Sequence, residues 1–375
     1  ELSAHFSRVR LKGIRFGLDD EVVFLAQDGD VFAVDVFNAV GATLAFENSS
    51  VSGADVRFTE GLSNDGVLVL GGSNAAAGNQ ATTLTADAGV TITNNAGATV
   101  TFASNSAGDL HIVRGDFLNL GQIDVLGQSA FQAGSASASV LDSVDGAIDI
   151  LSGRTLTMEN GVTLSLGSGS TISGFGTLSF DGSGAVVDLA SDFTWTSSGT
   201  GLDFSRTSVT VTGEGSFTNA GELTLQVDAD VFDAGFVNAS GASLTFADTS
   251  TTGQDLTLNY GLLNQGWLGF AGGSSAAGSQ VATLSVAEGQ TLTNDTGATI
   301  RFQQAAISDL HEVRGDLLNL GTLEIAGDAE IEAGSTTQGL LDSENGTITI
   351  FSGDTLTIGS KAVLRVGTGT GLDGA

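Results

Sequence analysis

The sequence predicts an all-β chain that folds as a right-handed parallel β-helix (β-solenoid), an elongated stack of coils of about 20–31 residues each. Three observations lead to this prediction. The chain repeats itself at an offset of 200 residues, its short segments alternate apolar and polar residues with the period of a strand, and none of its 375 residues is proline. Proline removes a backbone hydrogen-bond donor, so its absence favours strands that are paired on both sides.

The long repeat defines the organisation of the chain. Residues 109–121 and 309–321 differ only at positions 112/312 and 117/317, and the same offset holds from Asp30/Asp230 to Thr157/Thr357. Two long copies indicate an array whose parts stack on their neighbours. We predict an N-terminal segment outside the repeat register (residues 1–20), a first solenoid repeat (21–220) and a second, incomplete repeat (221–375). We expect the chain to be part of a longer repetitive protein.

A shorter spacing marks the coils within each copy. Asn or Asp stands one to three residues before a glycine, and a short alternating strand follows. The glycines Gly41, Gly66, Gly97, Gly121 and Gly146 are separated by 25, 31, 24 and 25 residues, and the second copy has the same steps from Gly241 to Gly346. Asn and Gly suit corners between strands. If the coils are in register, successive Asn side chains form a hydrogen-bonded ladder. The coil is expected to be right-handed, because crossover connections between parallel strands have that preference.

Composition limits the classes of partner and site. With 41% hydrophobic and 15% charged residues the chain is apolar enough to fold, and the absence of cysteine excludes disulfides, cysteine-based metal sites and thiol catalysis. The net charge of −31 disfavours nucleic acid and anionic membrane as partners. No apolar run is long enough for membrane insertion, so we expect targeting or anchoring segments to lie outside this sequence.

The basic run Arg8-Val-Arg-Leu-Lys12 is the exception to this acidic character. As a strand it would present a basic stripe to solvent. The simpler interpretation is a solvated face. The alternative is a terminal coil that docks onto an acidic neighbour.

The most specific short motif is Arg114-Gly115-Asp116, repeated as Arg314-Gly315-Asp316. This tripeptide is an integrin-recognition signal when it is displayed at the tip of a loop. Apolar residues flank both copies, which favours a tight corner between strands, with Arg and Asp paired. We favour the corner and keep the six residues as the candidate binding site.

Metal sites receive weak support. The Gly-Gly-x-Gly-x-Asp motif of calcium rolls is absent, and Asp28/Asp30 and Asp228/Asp230 are only acidic pairs. His111 and His311 are each isolated in the sequence, which favours a structural role. We therefore expect no cofactor, with calcium as a weak candidate.

Catalysis and crystal binding are disfavoured as well. Polysaccharide-degrading β-helices need clustered carboxylates with a basic residue or calcium beside sugar-stacking aromatics. This chain has two Lys, two Trp (Trp195, Trp267) and one Tyr (Tyr260), so we predict that it is not an enzyme. Thr-x-Thr pairs such as Thr91/Thr93 would suit an ice-binding face. Residues 67–70 interrupt the pattern, so we attribute the threonines to β-propensity on a solvated surface.

The repeated Asn-x-Gly coils, the bias towards Gly, Ser, Thr, Ala, Asp and Asn, and the lack of Cys and Pro resemble large repetitive bacterial surface proteins. The groups it resembles are filamentous-haemagglutinin-like adhesins, autotransporter passengers and biofilm-matrix adhesins. The resemblance covers residues 21–375 and is one of architecture. It implies export to the bacterial cell surface and a role in attachment or biofilm cohesion, with exopolysaccharide or a cell-surface receptor as the partner. Filamentous haemagglutinins can also carry an Arg-Gly-Asp.

These observations together predict a non-catalytic, extracellular stalk of a bacterial adhesin. No secretion domain, translocator barrel or lectin module is recognisable in the sequence. The alternative is a self-assembling filament or sheath subunit, or a passive spacer, because the end coils of a solenoid are open sheet edges that invite self-association.

Overall fold

The computed structural model describes residues 2–4, 14–16, 21–26, 30–48, 54–72, 82–104, 110–134, 138–181, 184–197, 199–204, 208–226, 230–247, 254–271, 281–303, 310–334, 339–367 and 371–374. In these ranges every regular element is a β-strand. The chain divides into two compact units, Glu1–Ala190 and Ser191–Ala375. The two units are defined by packing between coils, whereas the two 200-residue copies are defined by sequence similarity. The boundary between the units therefore differs from the boundary between the copies.

The first unit contains strands β1 to β23. Their bounds are Leu2–Ala4, Ile14–Phe16, Glu21–Ala26, Asp30–Phe32, Val36–Asn38, Thr43–Asn48, Ala54–Phe58, Leu62–Asn64, Val67–Gly72, Thr82–Ala86, Thr91–Asn94, Thr99–Phe102, Leu110–Arg114, Asp116–Asn119, Gln122–Val125, Gln128–Gln132, Ser139–Asp142, Ala147–Ile150, Thr155–Glu159, Val162–Leu166, Thr171–Gly174, Thr177–Asp181 and Ala185–Leu189.

The second unit contains strands β24 to β46. Their bounds are Phe193–Trp195, Gly201–Asp203, Val209–Gly213, Ser216–Asn219, Glu222–Gln226, Asp230–Phe232, Gly235–Asn238, Ser243–Ala247, Gln254–Leu258, Leu262–Asn264, Trp267–Ala271, Val281–Val286, Thr291–Asn294, Thr299–Gln303, Leu310–Arg314, Asp316–Asn319, Thr322–Ala326, Asp328–Glu332, Gly339–Ser343, Thr347–Ile350, Leu356–Ile358, Ala362–Val366 and Gly371–Gly374.

Three parallel sheets form each unit, and the chain passes through them in turn. In the first unit, sheet a runs β2-β5-β8-β11-β14-β17-β20-β23, sheet b runs β1-β3-β6-β9-β12-β15-β18-β21, and sheet c runs β4-β7-β10-β13-β16-β19-β22. In the second unit we give the same letters to the sheets that hold the residues 200 positions later. Sheet a runs β24-β27-β30-β33-β36-β39-β42-β45, sheet b runs β25-β28-β31-β34-β37-β40-β43-β46, and sheet c runs β26-β29-β32-β35-β38-β41-β44. Neighbouring strands in a sheet belong to successive coils. The predicted parallel β-solenoid is therefore confirmed for both units.

The alternating pattern read from the sequence produces the core. In β12, Val100 and Phe102 are fully buried, whereas Thr99 and Thr101 lie on the outer face. Strand pairing keeps this order in register, since Val100 pairs with Leu68 in the preceding coil and with Ile123 in the following coil. Each coil therefore buries its apolar side chains against those of its neighbours, which is how a solenoid obtains a continuous core.

Two strands come from the segment that the sequence placed outside the repeat register. Leu2–Ala4 pairs with Glu21–Ala26, and Ile14–Phe16 pairs with Val36–Asn38. Part of residues 1–20 thus joins the first coils. The basic run at residues 8–12 lies outside the described residues.

The asparagines form the predicted ladder at the end of sheet a, with two differences from the expected members. Asn94 takes the place of the adjacent Asn95, and the last members are Ser143 and Ser343, not Asp145 and Asn345. In the first unit the Nδ2 of each asparagine donates to the side-chain oxygen one coil further on, along the series Asn38, Asn64, Asn94, Asn119 and Ser143. The second unit has the series Asn219, Asn238, Asn264, Asn294, Asn319 and Ser343. The donor–acceptor distances are 2.7–2.8 Å between asparagines and 3.0 Å to each serine. All of these side chains are buried, so the ladder satisfies polar groups that water does not reach.

Candidate functional site

Each Arg-Gly-Asp is a corner between sheet c and sheet a. Arg114 is the last residue of β13, Asp116 is the first residue of β14, and Gly115 alone makes the corner with a φ of 97°. A Cβ at Gly115 would lie 2.8 Å from the carbonyl oxygen of Ala86 in the preceding coil. Glycine is required here because it accepts positive φ and lets the two coils approach closely. The position is a tight corner, as the flanking apolar residues predicted, and Gly115 is buried.

The charged side chains of the first corner bind to other coils. The Nε of Arg114 donates to the Oε1 of Gln132 at 2.8 Å, and its Nη1 lies 3.3 Å from the Oδ2 of Asp55. The Oδ1 of Asp116 accepts the backbone N–H of Val140 at 3.0 Å. Arg114 therefore bonds side chains of other coils, one coil ahead and two coils back, and does not pair with Asp116 as the sequence suggested.

The second corner has the same backbone and a different set of partners. Gly315 has a φ of 112°, and the Oδ1 of Asp316 accepts the backbone N–H of Leu340 at 3.1 Å. Arg314 binds Glu312 on its own strand, with Nη2 2.7 Å from one carboxylate oxygen and Nε 2.9 Å from the other. A second carboxylate, that of Glu332, lies 3.8 Å from Nε. Both corners therefore serve first as structural joints between coils.

Glu312 is a buried acid beside the second corner. It occupies the position of the buried Ile112 of the first copy, and its side chain is only 6% exposed. Burial raises the pKa of the Glu312 carboxyl, the neighbouring carboxylate of Glu332 raises it further, and Arg314 opposes the shift. The second corner thus contains an acid that is harder to ionise than an exposed glutamate.

An open groove lies beside the second corner. Its volume is about 460 Å³, against about 20 Å³ at the first corner. The one-residue corner at Gly315 lies between a longer corner at residues 287–290 in the preceding coil and residues 333–334 in the following coil. Polar side chains around it include Ser285, Glu288, Gln290 and Asp316. The groove is wide enough to admit a small polar group and remains open to solvent.

The histidines have structural surroundings, as expected. His111 and His311 are buried, with Nε2 2.8 Å from the carbonyl oxygen of Ala103 and 2.6 Å from that of Gln303, respectively. The ring of His311 also lies beside the stacked rings of Phe270 and Phe302, at centroid distances of 6.1 and 6.3 Å. These contacts hold each imidazole inside its unit.

The acidic pairs are only partly described. Asp28 and Asp228 lie outside the described residues. Asp230 is buried, and its Oδ1 accepts the backbone N–H of Val209 at 2.6 Å. Where the structure describes the chain, no group of three or more His, Asp or Glu side chains could hold a metal ion. In those same ranges no helix has the length and apolar character needed to cross a membrane.

One surface residue received no role from the sequence. Trp267 opens β34 and lies on the outer face of sheet b in the second unit, half-buried, whereas Trp195 is 1% exposed. The order Trp-Leu-Gly in the sequence could have indicated this surface. Residues 267 and 269 share one face of a strand, and a glycine at 269 leaves room on that face for the indole.

Neither a family model, nor a curated protein sequence, nor a solved structure matches the chain at a significant level.

Proposed function

We propose that this chain is part of the stalk of a bacterial surface adhesin, which acts outside the cell, has no catalytic activity, and attaches cells or holds a biofilm matrix together by binding exopolysaccharide. The supporting observation is the stacking of in-register parallel coils in each unit, together with a buried asparagine ladder. Such stacking makes a stiff scaffold that presents repeated surfaces.

The outer surface supports a sugar polymer as the partner. On the outer face of sheet b in the second unit, Ser243, Thr299, Thr322 and Thr347 lie in one row in register, with Trp267 between the first two. Thr245 lies on the same face in the next row, beside Gly269. Hydroxyls donate and accept hydrogen bonds, as sugar hydroxyls do. The net charge of −31 favours a neutral or amino-bearing polysaccharide over an acidic one.

A host receptor that recognises Arg-Gly-Asp is the second candidate partner. The hydrogen bonds of Asp116 and Asp316 to backbone N–H groups weigh against it, because a receptor would have to compete with bonds that hold the corners. We therefore give the polysaccharide partner precedence.

The test is the retention of beads coated with this chain on films of poly-N-acetylglucosamine and on integrin-bearing cells. The matched variant is Arg114→Ala with Arg314→Ala. We expect retention on the polysaccharide, unchanged in the variant. Retention on cells that disappears in the variant would instead establish a receptor ligand, and retention on neither surface would reject the adhesin.

Light scattering of the same sample separates the remaining alternative. An adhesin stalk binds while it is monomeric. Particles that grow with protein concentration, with no retention of beads, would indicate a filament or sheath subunit.

A further inference from the structure

The outer face of sheet b in the second unit carries an indole that lies along its own strand. A Cβ at Gly269 would be 2.1 Å from Cη2 and 2.5 Å from Cζ3 of Trp267, so the six-membered ring occupies the space where a side chain of residue 269 would stand. Gly269 is buried although it lies on the outer face, because this ring covers it. Trp267 therefore lies against the sheet and presents part of its surface to solvent.

Polar side chains surround this ring at fixed positions. Strand pairing places Ser243 and Thr299 on either side of Trp267, and Thr245 and Arg301 on either side of Gly269. All four are partly exposed. The ring is therefore a flat aromatic surface with hydroxyls and a guanidinium at its edges.

The arginine is itself held in place. Its Nη1 lies 3.2 Å from the Oε2 of Glu324 in the next coil, and its guanidinium carbon lies 5.7 Å from the ring centroid of Phe351. A salt bridge and a cation–π contact both restrict the guanidinium. Arg301 and Glu324 thus supply a positioned donor and acceptor beside the indole.

We propose that Trp267 is a sugar-binding platform that stacks on a pyranose ring of a neutral or amino-bearing polysaccharide. A pyranose with equatorial hydroxyls has an apolar C–H face that packs on an aromatic ring, while its hydroxyls point outward to polar partners. Ser243, Thr245, Thr299 and the Arg301–Glu324 pair stand where those hydroxyls would extend. This inference rests on the proposed function and names the site within it.

The first copy supplies a matched control for the platform. Val67 and Val69 replace Trp267 and Gly269 on β9, and their neighbours in the adjacent coils include Thr43, Thr99 and Thr101. The first unit accommodates this pair at the corresponding place. The variant Trp267→Val with Gly269→Val therefore removes the indole while keeping side chains that the same type of coil accepts.

The experiment measures binding of two soluble probes, a β-1,4-linked glucose hexamer and a β-1,6-linked N-acetylglucosamine hexamer, by calorimetry and by tryptophan fluorescence. Trp195 is buried, so a change in emission reports on Trp267. We expect one of the hexamers to bind, and the double variant to bind it at least about tenfold more weakly, with its circular dichroism unchanged. In the reverse variant, Val67→Trp with Val69→Gly, we expect a second binding site.

The outcomes distinguish failure of the sugar-binding platform from failure of the proposed adhesin function. Equal affinity of wild type and double variant, or no hexamer binding by a chain whose beads adhere to polysaccharide, overturns the platform and leaves the proposed function standing. Hexamer binding that depends on Trp267, by a chain whose beads do not adhere, supports the platform and overturns the adhesin. Absence of both kinds of binding overturns both.

Discussion

Asn94→Ala removes the central member of the asparagine ladder in the first unit. Asn94 is fully buried, and its Nδ2 donates to the Oδ1 of Asn119 at 2.8 Å and to the carbonyl oxygen of Gln122 at 3.0 Å. Its Oδ1 accepts from the Nδ2 of Asn64 at 2.8 Å. The substitution therefore breaks three hydrogen bonds inside the unit and interrupts the ladder between coils.

The expected cost follows from these three bonds. Each buried bond of this kind contributes about 1 kcal/mol, so the local free energy of opening should fall by about 3 kcal/mol, which corresponds to about a hundredfold faster amide exchange. The effect should centre on β8, β11 and β14, because a solenoid coil contacts mainly its neighbours.

Hydrogen exchange followed by mass spectrometry measures this, with Asn95→Ala as the control. Asn95 is the adjacent asparagine, and its Nδ2 bonds Ser63 and Asp65 near the surface. We expect the control to change the free energy of opening by less than about 1 kcal/mol. The reasoning is refuted if Asn94→Ala leaves exchange in the three strands within about threefold of wild type, or if both variants behave alike.

Three further predictions concern the two corners. The raised pKa of Glu312 means that the folded chain holds this proton more tightly than the unfolded chain, so stability falls as pH rises through that pKa. Glu312→Gln should be more stable than wild type above this pKa and equal to it below the ordinary glutamate pKa; a pH-independent difference in denaturation midpoint would contradict this. Gly115→Ala should lower the melting temperature more than Gly89→Ala, since both have positive φ but only Gly115 lies against a neighbouring backbone; equal shifts would oppose the packing argument. Asp316→Ala should cost about 1 kcal/mol in denaturant unfolding by freeing the N–H of Leu340, and no change would mean that this bond contributes nothing.

The periodic features of the fold could be predicted from the sequence. Alternation within strands indicated which side chains face the core, and the steps between glycines, which are the same in both copies, indicated coils that stack in register. The existence of an asparagine ladder followed from the glycine steps, and the tight corner at Gly115 followed from the apolar residues that flank the Arg-Gly-Asp. The right-handed course of the coil stays a prediction that rests on the general preference of crossover connections.

The pairings between coils could not be predicted. Arg114 reaches Asp55, which lies 59 residues earlier in the chain, and strand register across several coils decides such a contact. Adjacent residues in sequence suggested instead that Arg114 pairs with Asp116. A repeat pattern shows which residues share a face, but it does not give the reach or rotamer of a long side chain.

Differences between the copies proved harder still to interpret. Glu312 stands where the first copy has a buried isoleucine and Trp267 where it has a valine, and in the sequence each is one of several differences between the copies. Their consequences depend on neighbours in the same strand and in the next coil. Burial beside Glu332 and Arg314 perturbs the first residue, and the absent side chain at Gly269 lets the second lie flat.

The most direct test of a non-catalytic polysaccharide adhesin is co-sedimentation of the monomeric chain with insoluble poly-N-acetylglucosamine, with reducing ends counted in the supernatant. We predict saturable recovery of the chain in the pellet and no new reducing ends over time. Failure to sediment with the polymer would contradict binding, and a steady release of reducing ends would contradict the absence of catalysis.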